Sequence, residues 1–573
     1  MKWTLRPWSC GASICVAAFL WAALTVNVGS AQAPNPSPSD VLTDDIVTQV
    51  LGMDKDQLKV PEVAAGDADG QAKAERIGKL RTAFADAITA FRAGNADVAR
   101  SKFEEARKID SSLSPAAVYL ARLCFAVNDQ NLVKVGRQFL DQAVDKDPAS
   151  PEAYMIFGNL ALLEGRLADA ELHFSRAAEL ASLPSAPAWT EKQKETFLKN
   201  VYGGRVSICE QRQNWSRGLS EVDAWLALDE KDPAALYRKA RITFLQDPKA
   251  AKNLNDARIL FDEAYKFAAE ALKGKDELPA VPPTELALIE LQTATGNLDK
   301  ARDEIKLIDG KTAEFTSDKN KKEGSRVYST LSQWYLGQGE FDKATEYANK
   351  ATAIDKDSPA LKQLTAVLHY FANNYEAAEK DFTAMHQESP QDFFAANYLA
   401  LTLIEAKGAD GKPDPIKQAK AVQVAELSAR LNPKSPVALA TLAWCYFNTG
   451  KLGEAAQIFA AFEQQQNMEI SADTAFYMAK TYAALPSAQF PQALSRAKQL
   501  LENVVRTGGA FKYRKEAERL FEGMGGIVPP RAAASVPAVP AVTPPAATTG
   551  SSEKKPADKP ADKPATTTPN DNN

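Results

Sequence analysis

The sequence predicts an all-α protein built as an α-solenoid, a stack of about 10–11 helix-turn-helix units. Three observations predict it. Residue classes return along the chain at a spacing of 34 residues. Each period holds two stretches with apolar residues at helical spacing, joined by a short turn that often contains glycine. Small residues recur where two such helices meet, and large ones recur where neighbouring pairs must be filled.

The unit at 151–184 sets the pattern, with two amphipathic stretches across the turn Glu164-Gly165-Arg166. Thirty-four residues earlier the same classes stand: Leu120 for Tyr154, Leu123 for Phe157, Cys124 for Gly158, Gly136 for Ala170, Leu140 for Phe174 and Ala143 for Ala177. Later in the chain Ala344 is matched by Ala378, Ala351 by Met385, Ala421 by Ala455 and Ala425 by Phe459. This places units at 82–115, 117–150, 151–184, 199–232, 234–271, 282–315, 325–358, 359–392, 393–435, 436–469 and 472–508. The best matches are 117–150, 151–184, 325–358, 359–392 and 436–469. Proline cannot continue a helix, so Asp147-Pro148, Ser389-Pro390 and Asn432-Pro433 read as separators between units. Further turns within units stand at Thr295-Gly296-Asn297, Gln338-Gly339-Glu340 and Thr449-Gly450-Lys451. The weakest units are 82–115, 199–232, 234–271 and 282–315, where Gly218, Trp225 and Ile308 depart from the usual small positions. Insertions at 186–199, 246–255, 273–283 and 407–415 lengthen loops or helix ends.

The ends read differently. Lys2 and Arg6 precede an apolar stretch at residues 14–26, short of the ~20 residues of a spanning helix. Small residues follow, and cleavage after Ala31 avoids leaving Pro34 as the first mature residue. Residues 1–31 therefore read as an export signal, with an uncleaved membrane anchor as the alternative. Residues 32–74 are polar and partly disordered apart from an apolar patch at 46–51, a tail or a loosely docked helix. The solenoid is assigned to 75–510. Residues 511–528 form a capping helix, with Phe511, Ala517, Leu520 and Phe521 covering the last unit and the lysines and arginines facing water. Residues 529–573 are rich in Pro, Ala, Thr and Lys, repeat PADKPADKP, and read as disordered and partly polyproline-like.

The periodic pattern resembles the tetratricopeptide repeat (TPR) over about 430 residues. That family carries a large residue, a Leu-Gly pair and an aromatic in its first helix, then alanine, an aromatic and alanine in its second. The resemblance implies a right-handed superhelix whose first helices line a concave, protein-binding groove. Mapping the family's groove positions onto this chain nominates Met155 and Asn159 in one unit, Gln363, Val367 and Tyr370 in a second, Phe394 and Asn397 in a third, and Trp444, Phe447 and Asn448 in a fourth. Gln363, Asn397 and Asn448 would hydrogen-bond a peptide backbone. Tyr370, Phe394 and Trp444 read equally as core, because a one-residue error in register turns each by about 100° round the helix. Met155 stands where the carboxylate clamp of some TPR co-chaperones has lysine, so that clamp is absent.

Other functions find little support. There are 68 basic and 73 acidic residues, for a net charge of −5. Loss of Lys2 and Arg6 makes the mature chain −7 (−5 − 2), against a general nucleic-acid binder. Three histidines without ligand spacing predict no metal site, and five cysteines no disulfide framework. Gly408 and Gly411-Lys412 lack the spacing and hydroxyl of a phosphate loop, so no cofactor is expected. Cys124, Cys209 and Cys445 sit beside apolar residues and read as packing, not as nucleophiles. Asn214-Trp215-Ser216 matches a glycosylation acceptor. The expectation is a non-catalytic scaffold in the periplasm or cell envelope that holds a protein or peptide partner, with no integral span after signal cleavage. A self-assembling envelope component is the second reading, and an enzyme with an unrecognised site a remote third.

Overall fold

In the computed structural model, the described residues are 42, 46–51, 53, 58–61, 67–126, 130–183, 189–273, 277–315, 321–408, 410–464, 470–486, 488–506 and 511–529. The export-signal assignment, most of the polar N-terminal segment and the tail from 530 onward lie outside them. Among the described residues there is no strand, only an isolated bridge between Lys407 and Pro413 in the insertion at 407–415.

The chain runs as helical hairpins. The pairs are Ala68–Arg92 with Ala96–Ile109, Ala116–Ala126 with Gln130–Lys146, Pro151–Leu163 with Leu167–Ser182, and Glu191–Gln211 with Trp215–Leu226. Next come Pro233–Gln246 with Ala251–Ala271, Thr284–Ala294 with Leu298–Gly310, Lys321–Gln338 with Phe341–Ile354, and Pro359–Phe371 with Tyr375–Glu388. Phe393–Glu405 with Pro415–Leu431, Pro436–Asn448 with Leu452–Gln464, and Ala472–Ala484 with Ala493–Arg506 complete the array, and Arg514–Gly523 closes it.

One local motif builds most of the hairpins. At Gly94, Gly165, Gly296, Gly339 and Gly450 the backbone turns left-handed, with φ between 70° and 81°. Gln213 and Asn373 take the same place at φ 53° and 60°. In each case this residue's N–H reaches back three residues and the next N–H five, as in Gly165 to Leu162 at 3.1 Å and Arg166 to Ala161 at 2.8 Å. The last carbonyls of the first helix are thus satisfied while the chain reverses. Glycine is favoured because only it adopts this φ without a Cβ penalty. Elsewhere helices open on a Ser or Asp cap followed by proline, at Ser358-Pro359 and Ser435-Pro436 for first helices and Asp414-Pro415 for a second one.

Close approach explains the small positions. Phe174 is fully buried, and a Cβ on Gly158 or Gly204 would stand 2.9 or 2.3 Å from its ring. One aromatic therefore wedges against the glycine of its own hairpin and that of the next. Of the departing residues, Trp225 and Ile308 are buried, and Gly218 lies against Ile242.

Both ends are covered. Ile46, Val47, Val50, Leu51 and Leu58 are buried in one cluster with Phe84 and Tyr119. Arg122 and Arg81 donate to the carbonyls of Leu51 and Leu58, each at 3.0 Å. At the other end Phe511, Ala517 and Phe521 are buried and Leu520 packs partly against the same core. The expectation that the lysines here face water fails at Lys512, whose ammonium lies over the Tyr370 ring at 3.8 Å.

Candidate partner-binding face

First helices of successive hairpins lie side by side. Pro151–Leu163 touches Glu191–Gln211, which touches Pro233–Gln246, which touches Thr284–Ala294. A second run links Lys321–Gln338, Pro359–Phe371, Phe393–Glu405, Pro436–Asn448 and Ala472–Ala484. Trp334 joins the two runs by donating its indole N–H to Thr293 Oγ1 at 2.8 Å. The result is a face made of first helices, and its chemistry changes along the chain.

In the middle the face is ionic. Glu210 pairs with Arg238 of the next first helix. Arg241 reaches Glu290 of the one after at 2.9 Å and Glu210 at 3.9 Å. Burial works against the Arg241 charge, but Glu290, Tyr237 and Glu210 outweigh it and hold the guanidinium's pKa above its usual value. Toward the C-terminus the face is aromatic. Trp444 stacks on Tyr477 at 4.4 Å and on Phe447 at 5.3 Å. Tyr370 meets Tyr398 edge-on, and Tyr398 stacks on Phe382.

The chain's own C-terminal segment sits in this aromatic stretch. Tyr513 stacks on Phe476 at 5.0 Å and meets Trp444 and Tyr477 edge-on. Its hydroxyl donates to Glu405 Oε1 at 2.6 Å, lies 3.3 Å from the Tyr370 hydroxyl, and shares Glu405 with the Trp444 indole. Lys512 donates to the Tyr370 carbonyl. Burial pushes the Lys512 ammonium down to about 8, although Glu405 and Asp473 pull it up. Burial pushes the Asp473 carboxyl up to about 6 against the opposing Lys512 charge. The phenols of Tyr370, Tyr477 and Tyr513 are held well above their ordinary range by burial.

The nominated residues fall into three groups. Tyr370, Val367, Asn397 and Trp444 are buried. Asn397 accepts from Thr441 Oγ1 at 2.6 Å, so its amide oxygen already serves the contact between two first helices. Gln363, Phe394, Phe447 and Asn448 are half-buried, with the Asn448 amide donating to the Trp444 carbonyl at 2.8 Å. Met155 is half-buried and Asn159 exposed, on a hairpin whose core cluster is separate from that of the other eight. Tyr513 joins Tyr370 to Trp444, a link between elements that the spacing of single units does not carry. Lys512, Tyr513, Tyr477 and Asp473 were missed in the sequence. Their signal is weak: a Phe-Lys-Tyr run just ahead of a capping helix.

Repeating left-handed turns, a 34-residue spacing and small residues at the points of closest approach together decide the architecture. The fold is a TPR-type α-solenoid. No protein-family model matches the chain, and no curated sequence does. Among solved structures it is similar to a tetratricopeptide repeat protein from Parabacteroides merdae, at 13% identity over 65% of this chain and 98% of that one, TM-score 0.26. It is also similar to yeast Tom70, at 15% over 78% and 95%, TM-score 0.31. A third is the TPR domain of P58(IPK), at 15% over 74% and 98%, TM-score 0.19.

The chemistry of the solenoid is sparse. Cys124, Cys209 and Cys445 are free and buried, and burial raises all three thiols, Cys124 to about 11. A thiol so shifted is a poor nucleophile at neutral pH. Among the described residues no group of three or more His, Cys, Asp and Glu is placed to hold a metal ion. His369 faces Asp381 at 2.9 Å in an ordinary cross-hairpin pair. Among the same residues no helix is long and apolar enough to cross a membrane.

Proposed function

We propose that the chain is an exported, non-catalytic scaffold that holds a protein or peptide partner against the face built from its first helices. The observation that carries this is the continuity of that face: first helix packs on first helix in successive hairpins. Such a surface presents side chains at regular steps and suits an extended peptide or a helix laid along it. The accessible contacts lie at Asn159, Met155, Gln363, Phe394, Phe447 and Asn448, while Trp444, Tyr370, Val367 and Asn397 hold the helices that carry them. Leu163, 62% exposed at the end of its first helix, adds an apolar contact beside Asn159. Export to the periplasm or cell envelope rests on the basic, apolar and small-residue order of residues 1–31.

The test compares affinity capture from an envelope fraction by the parent chain and by Asn159→Arg/Gln363→Arg. Asn159 is exposed and Gln363 half-buried, so neither substitution removes a buried side chain. Proteins retained by the parent and lost from the variant support the face as the binding surface. Identical profiles overturn it. Self-assembly is the alternative, and the segments docked near the two ends, through Ile46, Leu51 and Leu58 at one and Phe511 and Phe521 at the other, weigh against end-to-end stacking.

A further inference from the structure

A cleft of about 860 Å³ opens beside the C-terminal segment, between the turns of two hairpins and the capping helix. One side of its wall is aromatic, with Phe341, Phe371, Tyr375, Phe511 and Tyr513, and the rest is charged. Phe341 and Phe371, one from each hairpin, stack at 5.5 Å. Lys512 lies over Tyr375 at 4.7 Å and braces one side. Asp342 and Glu516 bring carboxylates to the cleft and Arg514, Lys515 and Arg519 bring cations, so it carries no strong charge of either sign. The last described residue, Pro529, is itself part of the lining.

The sequence that follows is Pro530-Arg531, then alanines, Ser535, Val536, and Pro537-Ala538-Val539-Pro540, ending on Pro544-Pro545. Proline-rich chain favours the polyproline II helix, which has three residues per turn, so Pro537 and Pro540 fall on one face. That conformation docks into aromatic-lined grooves at small entropic cost, because it is already formed in the free peptide. The segment leaves the cleft wall directly, since Pro529 is part of the lining and Pro530 is the next residue. The tether also places this segment near the cleft at an effective concentration in the millimolar range. A ligand too weak to hold from solution is therefore bound when it is part of the chain.

We propose that this cleft is a docking site for proline-rich peptide, and that residues 530–545 of the chain itself are its occupant. The C-terminal tail then folds back onto the hairpins at Phe341 and Phe371, and an external proline-rich segment binds only by displacing it. This does not depend on what the first-helix face holds.

The experiment uses the full-length chain and a fluorescent peptide with the sequence of residues 529–545, followed by anisotropy. Pro537→Ser/Pro540→Ser in the protein removes the internal competitor. The peptide is expected to bind this variant at least tenfold more tightly than the parent. Ala372→Trp, an exposed position in the cleft wall, should then abolish binding to the variant with helicity unchanged. Tyr375→Ser serves the same purpose should the tryptophan disturb folding. A serine-for-proline peptide is expected not to bind. Equal binding to parent and variant overturns occupancy by the tail. Absence of binding to the variant, or binding unaffected by both cleft substitutions, overturns the docking site itself.

Discussion

The middle of the solenoid and its C-terminal part are built from the same hairpin but held together differently. Among the described residues, one continuous cluster of buried residues runs from Leu286 to Phe521. Between Ala161 and Leu291 the core is divided among four small clusters. Each small cluster in the middle links one hairpin to the next, and neighbouring first helices are bridged in addition by Glu210, Arg238, Arg241 and Glu290. At the C-terminus the equivalent face is filled by Trp444, Tyr477 and the inserted Tyr513. In a quasi-one-dimensional protein, stability is a sum over units and the interfaces between them. Ionic interfaces are weaker and salt-dependent, and aromatic ones are stronger and less so. The middle, with its divided core, is expected to open first.

The sharpest way to break the comparison is to remove one aromatic from each region. Phe174→Ala and Trp444→Ala are each expected to cost about 3–5 kcal/mol. Denaturant unfolding followed by circular dichroism should show Phe174→Ala lowering an early transition and Trp444→Ala a late one. A single transition shifted equally by both would make the two regions one cooperative unit. Because Trp444 is 4% exposed, its loss tests stability, not partner capture.

A smaller effect is expected from overpacking. Gly204→Ala puts a methyl 2.3 Å from the Phe174 ring, while Gly158→Ala puts one at 2.9 Å. Overpacking typically costs about 1–3 kcal/mol, so Gly204→Ala should destabilise more than Gly158→Ala in thermal melts. The reverse order would misplace the wedge.

The ionic ladder is next. Arg241→Met removes two charged contacts, but Glu290 is exposed and Glu210 keeps Arg238, so the cost is about 0.5–1 kcal/mol. Only the early transition should move, and raising salt should narrow the difference between parent and variant.

The smallest effect is one of pH. The folded Asp473 carboxyl titrates near 6, above its ordinary 3.8. The folded state therefore binds this proton more tightly than the unfolded one. Stability should fall as pH rises between about 4 and 6. Lys512 has the opposite displacement, about 8 against an ordinary 10.5. It sheds its proton earlier when folded, so stability should rise again above about pH 8. Asp473→Asn should flatten the acidic limb of the late transition alone. An unchanged limb would mean that burial does not raise the Asp473 carboxyl.

Much of this was legible in the residues. Helical hairpins follow from local rules: period 3.6 within a helix, glycine where φ must be positive, proline where a helix must begin or end. Gly165, Gly296, Gly339 and Gly450 could be placed without a structure because the turn they make involves only their own neighbours. Asn373 and Gln213 show the limit, since both adopt the left-handed turn without being glycine. The candidate binding face was legible only in part. Register put Asn159, Gln363 and Asn448 on it at some accessibility. It did not separate Trp444 and Tyr370, which are buried, from Phe447 and Phe394, which are half-buried. Burial at those positions depends on what lies above the helix.

The sequence by itself determined the hairpin, its repetition and the capped C-terminal end, because each depends on contacts within about 34 residues. Tertiary structure alone decided that Lys512 and Tyr513 return to Tyr370, more than 140 residues back in the chain. It also decided that the core would be continuous at one end and divided in the middle. Both depend on how the small rotation between units accumulates, and no local pattern of residues states that sum.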